Sequence, residues 1–90
     1  MTNDVLLTLQ VIGTDGMLLD VDGVSSINVR MENGSLVGIR PGHTPLIGLT
    51  ASGVLNYKKD GVIFYESIQD GILTIDQNAV RILTTSPKAA

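Results

Sequence analysis

The sequence contains no cysteine, which excludes disulfide bonds and thiolate metal sites. Its single histidine is too few for an ordinary zinc or copper site. The net charge of −3 comes from nine acidic and six basic residues scattered along the chain, with no basic cluster to neutralise a run of phosphates. We therefore expect neither a bound metal nor a nucleic-acid partner.

Long apolar runs are missing as well. No stretch approaches the roughly 20 residues that cross a bilayer. The first ten residues carry no positive charge ahead of their short apolar run, unlike a secretory signal. We expect a soluble, cytosolic protein without direct membrane insertion. Its 90 residues allow one domain with one core.

Groups that could form a catalytic site are scarce. No serine lies on a glycine-flanked elbow, and no second carboxylate is placed to orient His43. No glycine precedes the Lys-Ser or Lys-Thr pair of a phosphate-binding loop. Five aspartates lie in or beside turns, where such side chains cap backbone N–H groups: Asp15, Asp22, Asp60, Asp70 and Asp76. We expect no enzyme activity, no cofactor and no nucleotide site in this chain.

The sequence does contain many turn signals. Asparagine, aspartate and glycine tolerate the positive φ of tight hairpin turns. Five such pairs occur: Asp15-Gly16, Asp22-Gly23, Asn33-Gly34, Asp60-Gly61 and Asp70-Gly71. Asn33-Gly34 also begins a glycosylation sequon with Ser35, but without a secretory signal we interpret it as a turn only.

The segments between these pairs alternate apolar and polar residues, as half-buried strands do. The predicted inward-facing residues are Leu7, Leu9, Val11, Ile27, Val29, Met31, Leu55, Tyr57, Leu73, Ile75, Val80 and Ile82. The segment 62–65 is apolar on both faces, which predicts a central strand or one that something covers. Glycines interrupt every candidate helix. The predicted fold is all-β, a flattened barrel or β-sandwich of about eight to ten short antiparallel strands.

The predicted sandwich domain occupies residues 1–86, and residues 87–90 are predicted to begin a helix. Residues 84–86 are good N-caps, and Pro87 is favoured at the first helical position. From these residues alone, a polar and frayed terminus is the alternative.

One segment stands apart, residues 38–46 with the sequence Gly-Ile-Arg-Pro-Gly-His-Thr-Pro-Leu. Pro41 and Pro45 lack the N–H that a central strand needs, so the segment is a sheet edge or a corner. Two alternatives follow. It is either a rigid corner whose His43 satisfies nearby backbone groups, or an exposed edge on which another protein docks, with His43 as a polar anchor.

This segment resembles a motif of the epsilon subunit of rotary F-type ATP synthases, called delta in mitochondria. The N-terminal β-sandwich of that family has a Gly-Ile-x-Pro-Gly-His-x-Pro-Leu run, and residues 38–46 match it at every defined position. Similar elements occur in the same order at residues 14–16, 53–55, 59–61, 70–75 and 78–83. The resemblance covers residues 5–84, nearly the whole chain.

The resemblance implies a non-catalytic central-stalk subunit that couples ion-driven rotation to ATP synthesis. It implies a peripheral location at the cytoplasmic face of the inner or plasma membrane. The implied contact with the gamma subunit comprises Arg40, Pro41, Gly42, His43, Thr44, Pro45 and Leu46. The implied contact with the c-ring comprises Glu32, Asn33, Ser35 and Leu36.

In that family a C-terminal helical hairpin follows the sandwich, can inhibit ATP hydrolysis and in some members binds ATP. Since this sequence stops at Ala90, we expect the hairpin to be absent, whether the subunit is naturally short or the sequence is a truncated piece.

Two other functions compete with this assignment. One is a stand-alone sandwich module that binds a ligand or another protein, and the other is a metal-dependent jelly-roll enzyme. Two tyrosines and one phenylalanine offer little surface for stacking on ligands. A metal-dependent jelly-roll enzyme would need metal ligands that this sequence lacks.

Overall fold

Eight strands make up residues 5–86, the part of the chain that a computed structural model describes. They are β1 (Leu7–Gly13), β2 (Gly16–Arg30), β3 (Leu36–Ile39), β4 (Leu46–Thr50), β5 (Gly53–Lys59), β6 (Val62–Ile68), β7 (Gly71–Asp76) and β8 (Ala79–Thr84). The all-β prediction is confirmed. No helix among these residues is long and apolar enough to cross a membrane. The predicted helix start at 87–90 lies outside the described residues.

Three Asx-Gly pairs make the predicted hairpin turns. They are Asp15-Gly16 before β2, Asn33-Gly34 before β3 and Asp60-Gly61 before β6. Asp60 and Gly61 have φ of 52° and 78°, the two positive values that a type I′ turn requires. Asp70-Gly71 also lies between strands, but β6 and β7 are not paired with each other, so the hairpin predicted there is wrong.

At Asp22-Gly23 the structure has no turn, because β2 runs through this pair as one strand of 15 residues. Gly23 has φ +70°. The register against β1 shifts here, since Leu9 pairs with Val21 but Leu7 pairs with Val24. The extra residue is a β-bulge, which bends a strand without ending it. The predicted hairpin is wrong because the positive φ that glycine supplies serves a bulge as well as a turn.

The bend in β2 divides one continuous sheet into two layers. The strand order is β4-β7-β8-β1-β2-β5-β6, and β3 pairs with β2 as well. Layer I contains β4, β7, β8, β1 and the first half of β2. Layer II contains β3, the second half of β2, β5 and β6. A bridge between Met31 and Thr50 joins the end of β2 to the end of β4, and the two layers form the predicted β-sandwich.

One strand pair departs from the expected antiparallel arrangement. β1 and β8 run parallel, with Thr8 opposite Ala79 and Ile12 opposite Leu83. Ser86, just after β8, bonds to the β1–β2 turn: its hydroxyl accepts from the Asp15 N–H at 3.1 Å. The first and last strands therefore lie side by side in the middle of layer I.

The facing sides of the two layers share one core. All twelve side chains predicted to point inward are buried, and ten of them are no more than 2% exposed. Val24, Ile39 and Ile68 are buried with them. Each fully buried aliphatic side chain contributes about 1.5–3 kcal/mol relative to an exposed one. The alternation of apolar residues therefore identified most of the core.

Segment 62–65 lies in β6, which is an edge strand of layer II. Its side chains are 41–67% exposed, so the prediction of a central strand is wrong. One stacked aromatic pair is found among residues 5–86, between Phe64 of this segment and the buried Tyr57, with ring centroids 5.2 Å apart. The sequence of this segment shows that it is apolar on both faces, but it does not show where the strand lies in the sheet.

Candidate functional site

The segment 40–46 forms the corner that carries the chain from layer II to layer I, between β3 and β4. The His43 N–H donates to the Arg40 carbonyl oxygen at 3.1 Å, and Gly42 has φ +84°. These are features of a type II turn, in which proline fixes the second position and glycine supplies the positive φ of the third. The Pro41-Gly42 pair therefore sets the shape of the corner.

Two further hydrogen bonds brace this corner. The Gly42 N–H donates to Asn78 Oδ1 at 2.7 Å, which ties the corner to the turn between β7 and β8. His43 Nδ1 donates to the Thr44 carbonyl oxygen at 2.7 Å, which leaves Nε2 as the acceptor of the neutral ring. His43 therefore satisfies a backbone group, and four of the seven corner residues are exposed, so docking of another protein on this corner stays a prediction.

The turn between β2 and β3 holds the second predicted set of site residues. All four are exposed: Glu32, Asn33, Ser35 and Leu36. The Asn33 side-chain oxygen accepts hydrogen bonds from both the N–H and the hydroxyl of Ser35, at 2.9 and 2.7 Å. Arg30 Nη1 donates to the Gly34 carbonyl oxygen at 3.0 Å. The turn is thus held by its own polar groups.

A groove of about 550 Å³ connects the two predicted sets. Glu32, Asn33 and Ser35 line it together with Leu46, the last residue of the corner. Leu36 and the other six corner residues do not line it. The structure therefore brings part of the turn and the end of the corner onto one surface.

The outer face of layer I carries apolar residues that the sequence analysis did not predict as a site. Paired positions share a face of the sheet, with Cβ atoms about 4.5–5.5 Å apart. Pairing across the five strands places five residues in one line, which we call the apolar row: Leu49, Ile72, Leu83, Ile12 and Met17. Ile12 is half-buried and the other four are 43–55% exposed.

A polar row runs beside the apolar row. Arg81 Nε donates to Gln10 Oε1 at 3.1 Å, and Gln10 Nε2 donates to Asp20 Oδ1 at 3.4 Å. At the end of this row lies Ile47, which is 79% exposed. A groove of about 730 Å³ is lined by Pro45 of the corner together with Ile47 and Arg81. The corner and both rows therefore form one contiguous surface.

Doubled apolar residues were the signal for the apolar row. Val11-Ile12, Ile72-Leu73 and Ile82-Leu83 each place one apolar side chain inward and one outward. The inward member alone accounts for the alternation of apolar and polar residues, so its apolar neighbour was not predicted to belong to a site. A strand that is apolar on both faces has a second surface to bury, and this would have predicted a docking face.

The chemistry of this surface suits docking. Within residues 5–86, no group of three or more His, Cys, Asp or Glu residues lies close enough to hold a metal ion. Contiguous exposed apolar patches with a polar rim mark sites of protein–protein interaction. The apolar row, the polar row and the braced corner have these properties.

Comparison with protein families gives a match over almost the whole chain. A family model described as the β-sandwich domain of the ATP synthase delta/epsilon chain matches residues 6–89. The matched range includes the corner, the turn and both rows.

Curated relatives agree with the family match. The ATP synthase epsilon chain of Lawsonia intracellularis is 34% identical over 84 residues, which are 93% of this chain and 62% of the relative. The epsilon chain of Roseiflexus sp. is 33% identical over 82 residues, which are 91% of this chain and 58% of the relative. The chain thus spans about three fifths of the length of these relatives.

Two solved structures share the fold. A chain in the OSCP, F1 and c-ring structure of Euglena gracilis mitochondrial ATP synthase matches with a TM-score of 0.81 at 21% identity, covering 96% of this chain and 54% of that one. A chain in the central stalk and c-ring structure of the Tetrahymena thermophila enzyme matches with a TM-score of 0.71 at 14% identity, covering 94% and 67%. At these identities, the likeness shows the fold alone.

Proposed function

Because the chain belongs to the family of ATP synthase delta and epsilon chains, whose β-sandwich domain it contains, we propose that it is a non-catalytic subunit of the central stalk of a rotary F-type ATP synthase. In this role it binds the gamma subunit and the c-ring and couples ion-driven rotation to ATP synthesis. It makes and breaks no covalent bonds in that process. It acts at the cytoplasmic face of the membrane as a peripheral component.

The apolar row is the observation that supports this proposal most directly. It joins five strands whose other face contributes to the core, and none of its side chains belongs to that core. A fully buried aliphatic side chain contributes about 1.5–3 kcal/mol, so covering the exposed half of each residue in the row contributes roughly 1 kcal/mol. Five such residues give a partner protein an anchor of useful affinity.

We assign the gamma contact to this row together with the corner 40–46. The type II turn and its bond to Asn78 hold the corner in one conformation, so little entropy is lost when a partner docks on it. Within the corner, His43 offers Nε2 for a hydrogen bond, and the exposed Pro45 lines a groove together with Ile47.

We assign the c-ring contact to the turn containing Glu32, Asn33, Ser35 and Leu36. Its four side chains are exposed, and Leu36 is 61% exposed although it is apolar. Since three of these residues share a groove with Leu46, the ring contact and the gamma contact are neighbours. A domain that binds both partners through adjacent surfaces makes the gamma subunit and the c-ring rotate together.

Binding to purified gamma subunit tests the gamma assignment. In the variant carrying Ile72→Ser and Leu83→Ser, we expect affinity for gamma, measured by calorimetry, to fall at least tenfold, because two anchors in the row lose their apolar contacts. Val54→Ser is the matched control, since Val54 is 60% exposed on the outer face of layer II. Equal affinity of the double variant and the control would exclude the row as the gamma site.

Replacing two corner residues with alanine tests the remaining part of the assignment. The variant His43→Ala, Thr44→Ala should copurify poorly with gamma and keep its melting transition, and Leu46 is left unchanged because its side chain packs against the core. A collapsed transition would instead favour the rigid-corner alternative. Glu32→Lys should weaken association with isolated c-rings and leave gamma binding unchanged, and a loss of both would show that the two contacts are not separate.

A further inference from the structure

Asn33 and Gly34 lie in an exposed turn, where the side-chain amide of Asn33 directly precedes the backbone nitrogen of Gly34. The Gly34 N–H donates to the Met31 carbonyl oxygen at 2.9 Å, which closes the turn. Gly34 has φ +91°, and a Cβ placed on it would meet no atom within 4 Å. Because Gly34 has no side chain, none hinders its backbone nitrogen, which follows Asn33 directly in the chain.

Two donors converge on the side-chain oxygen of Asn33. The Ser35 N–H lies 2.9 Å from Oδ1 and the Ser35 hydroxyl lies 2.7 Å from it. A backbone N–H can only donate, so the atom it faces is the amide oxygen of Asn33. Oxyanion holes place their donors at about 2.7–3.1 Å from the oxygen that becomes negative. At 2.9 and 2.7 Å from the ground-state oxygen, the two donors from Ser35 polarise the Asn33 Cγ=O bond.

We propose that this turn is a site of spontaneous deamidation, in which Ser35 acts as a two-donor oxyanion hole. The Gly34 nitrogen attacks Asn33 Cγ and forms a new C–N bond once its hydrogen bond to the Met31 carbonyl oxygen has opened and base has removed its proton. The tetrahedral oxyanion is held by Ser35. The Cγ–Nδ2 bond then breaks, Nδ2 leaves as ammonia after taking up a proton, and a five-membered succinimide remains. Water opens the succinimide at either carbonyl, which gives aspartate or isoaspartate at position 33.

The other described asparagines lack this arrangement. Asn28 donates from Nδ2 to Asn56 Oδ1 at 3.0 Å, and both lie within strands. Asn78 accepts from the Gly42 N–H and precedes Ala79, whose methyl group hinders the nitrogen. Among the described asparagines, we therefore expect deamidation at Asn33 alone.

Deamidation would change the electrostatics of the turn beside Glu32. The product carries one more negative charge on a chain whose net charge is −3. If the turn faces the c-ring as assigned above, this charge alters that contact. The modification itself does not depend on the assignment, because it needs only the turn and water.

Peptide mass spectrometry of the folded protein tests the proposal. After incubation in mildly alkaline buffer, the peptide containing Asn33 should gain the mass difference between an amide and an acid, while those with Asn28, Asn56 and Asn78 stay unchanged. Isoaspartate methyltransferase should label the same peptide. In the Ser35→Ala variant, the rate should fall roughly three- to tenfold, less than the 10²–10³ of a buried oxyanion hole because the turn is open to water.

Two controls separate the effect of the fold from that of the Asn-Gly sequence. In guanidinium chloride, Ser35→Ala and the unaltered protein should react at the same rate, because the donors are no longer in place. Ser35→Thr keeps the hydroxyl and should react in the folded state within twofold of the unaltered protein. Equal rates for Ser35→Ala and the unaltered protein in the folded state, or an Asn33 that reacts only when the protein is unfolded, would overturn the proposal.

Discussion

Layer I has two apolar faces that differ in what covers them. Ile72 and Leu73 are adjacent in β7, but Leu73 is fully buried and Ile72 is 43% exposed. The same contrast occurs between Ile82 and Leu83 in β8. Because the residue types are alike, composition does not distinguish a residue that stabilises the fold from one that serves a partner. The face of the sheet makes that distinction, and it predicts that the inner residues control stability whereas the outer ones control binding.

The largest expected effect compares Leu73→Ala with Ile72→Ala. Leu73→Ala leaves a cavity between the layers and should lower the free energy of unfolding by about 2–5 kcal/mol. Ile72→Ala leaves no cavity, so its effect should be within about 1 kcal/mol. Chemical denaturation of the two variants measures both values. Similar losses would mean that the two faces contribute equally to the fold and would end the distinction.

The corner provides an intermediate case, because it is exposed and yet hydrogen-bonded. Asn78 has φ +66°, and Asn78→Gly keeps that backbone conformation while removing the acceptor for the Gly42 N–H. We expect a loss of about 1 kcal/mol in the free energy of unfolding. Asn78→Asp retains an acceptor oxygen and serves as the control. If both variants unfold like the unaltered protein, the bond does not brace the corner.

The polar row should contribute less to stability than the corner. Arg81 and Asp20 are exposed and are linked through Gln10. Because exposed polar links contribute little to stability, Arg81→Gln should change the free energy of unfolding by less than about 0.5 kcal/mol. Its effect should instead be on gamma binding, whose dependence on salt concentration should weaken because one charge is removed. Titrations at two salt concentrations measure this. A large stability loss would move Arg81 from the docking face to the structural one.

The smallest expected effect concerns two tyrosines of layer II, one inside and one outside. Burial, and then the negative charge of Glu66, raise the pKa of Tyr57 above its ordinary value of 10.0. Above that ordinary value the unfolded chain loses the proton while the folded protein keeps it, so stability should fall as pH rises through this range. Tyr57→Phe should remove this decline, whereas Tyr65→Phe, at a position 67% exposed, should retain it. Denaturation midpoints measured at pH 9 and above test this. The same pH dependence in the two variants would contradict the prediction.

Local sequence signals predicted what is local in the structure. The Pro41-Gly42 pair fixes backbone angles through its own chemistry, and the alternation of Leu7, Leu9 and Val11 records which face is inward. Gly23 shows the limit of such signals, because a positive φ bends a strand or reverses it according to what pairs with it. Strand order depends on distant partners, so the edge position of β6 and the parallel pair of β1 and β8 had no local signature.

The candidate site divides in the same way. The corner was predicted because its motif is contiguous in sequence, whereas the apolar row assembles single residues from five strands. Three of those residues, Ile12, Ile72 and Leu83, also have an inward apolar neighbour that explains the strand without them. Only the register of the strands shows that the outward residues meet.

The parallel pairing of β1 and β8 has a consequence for how the protein is made. During synthesis, the edge of β1 that will receive β8 stays open until a partner about 70 positions later has been translated. Contacts so distant in sequence delay folding because a long loop must close first. Until then β1 presents unpaired backbone groups next to apolar side chains, a combination that favours aggregation. A chain whose translation ends before β8 would therefore keep this edge of β1 unpaired and would be prone to aggregate.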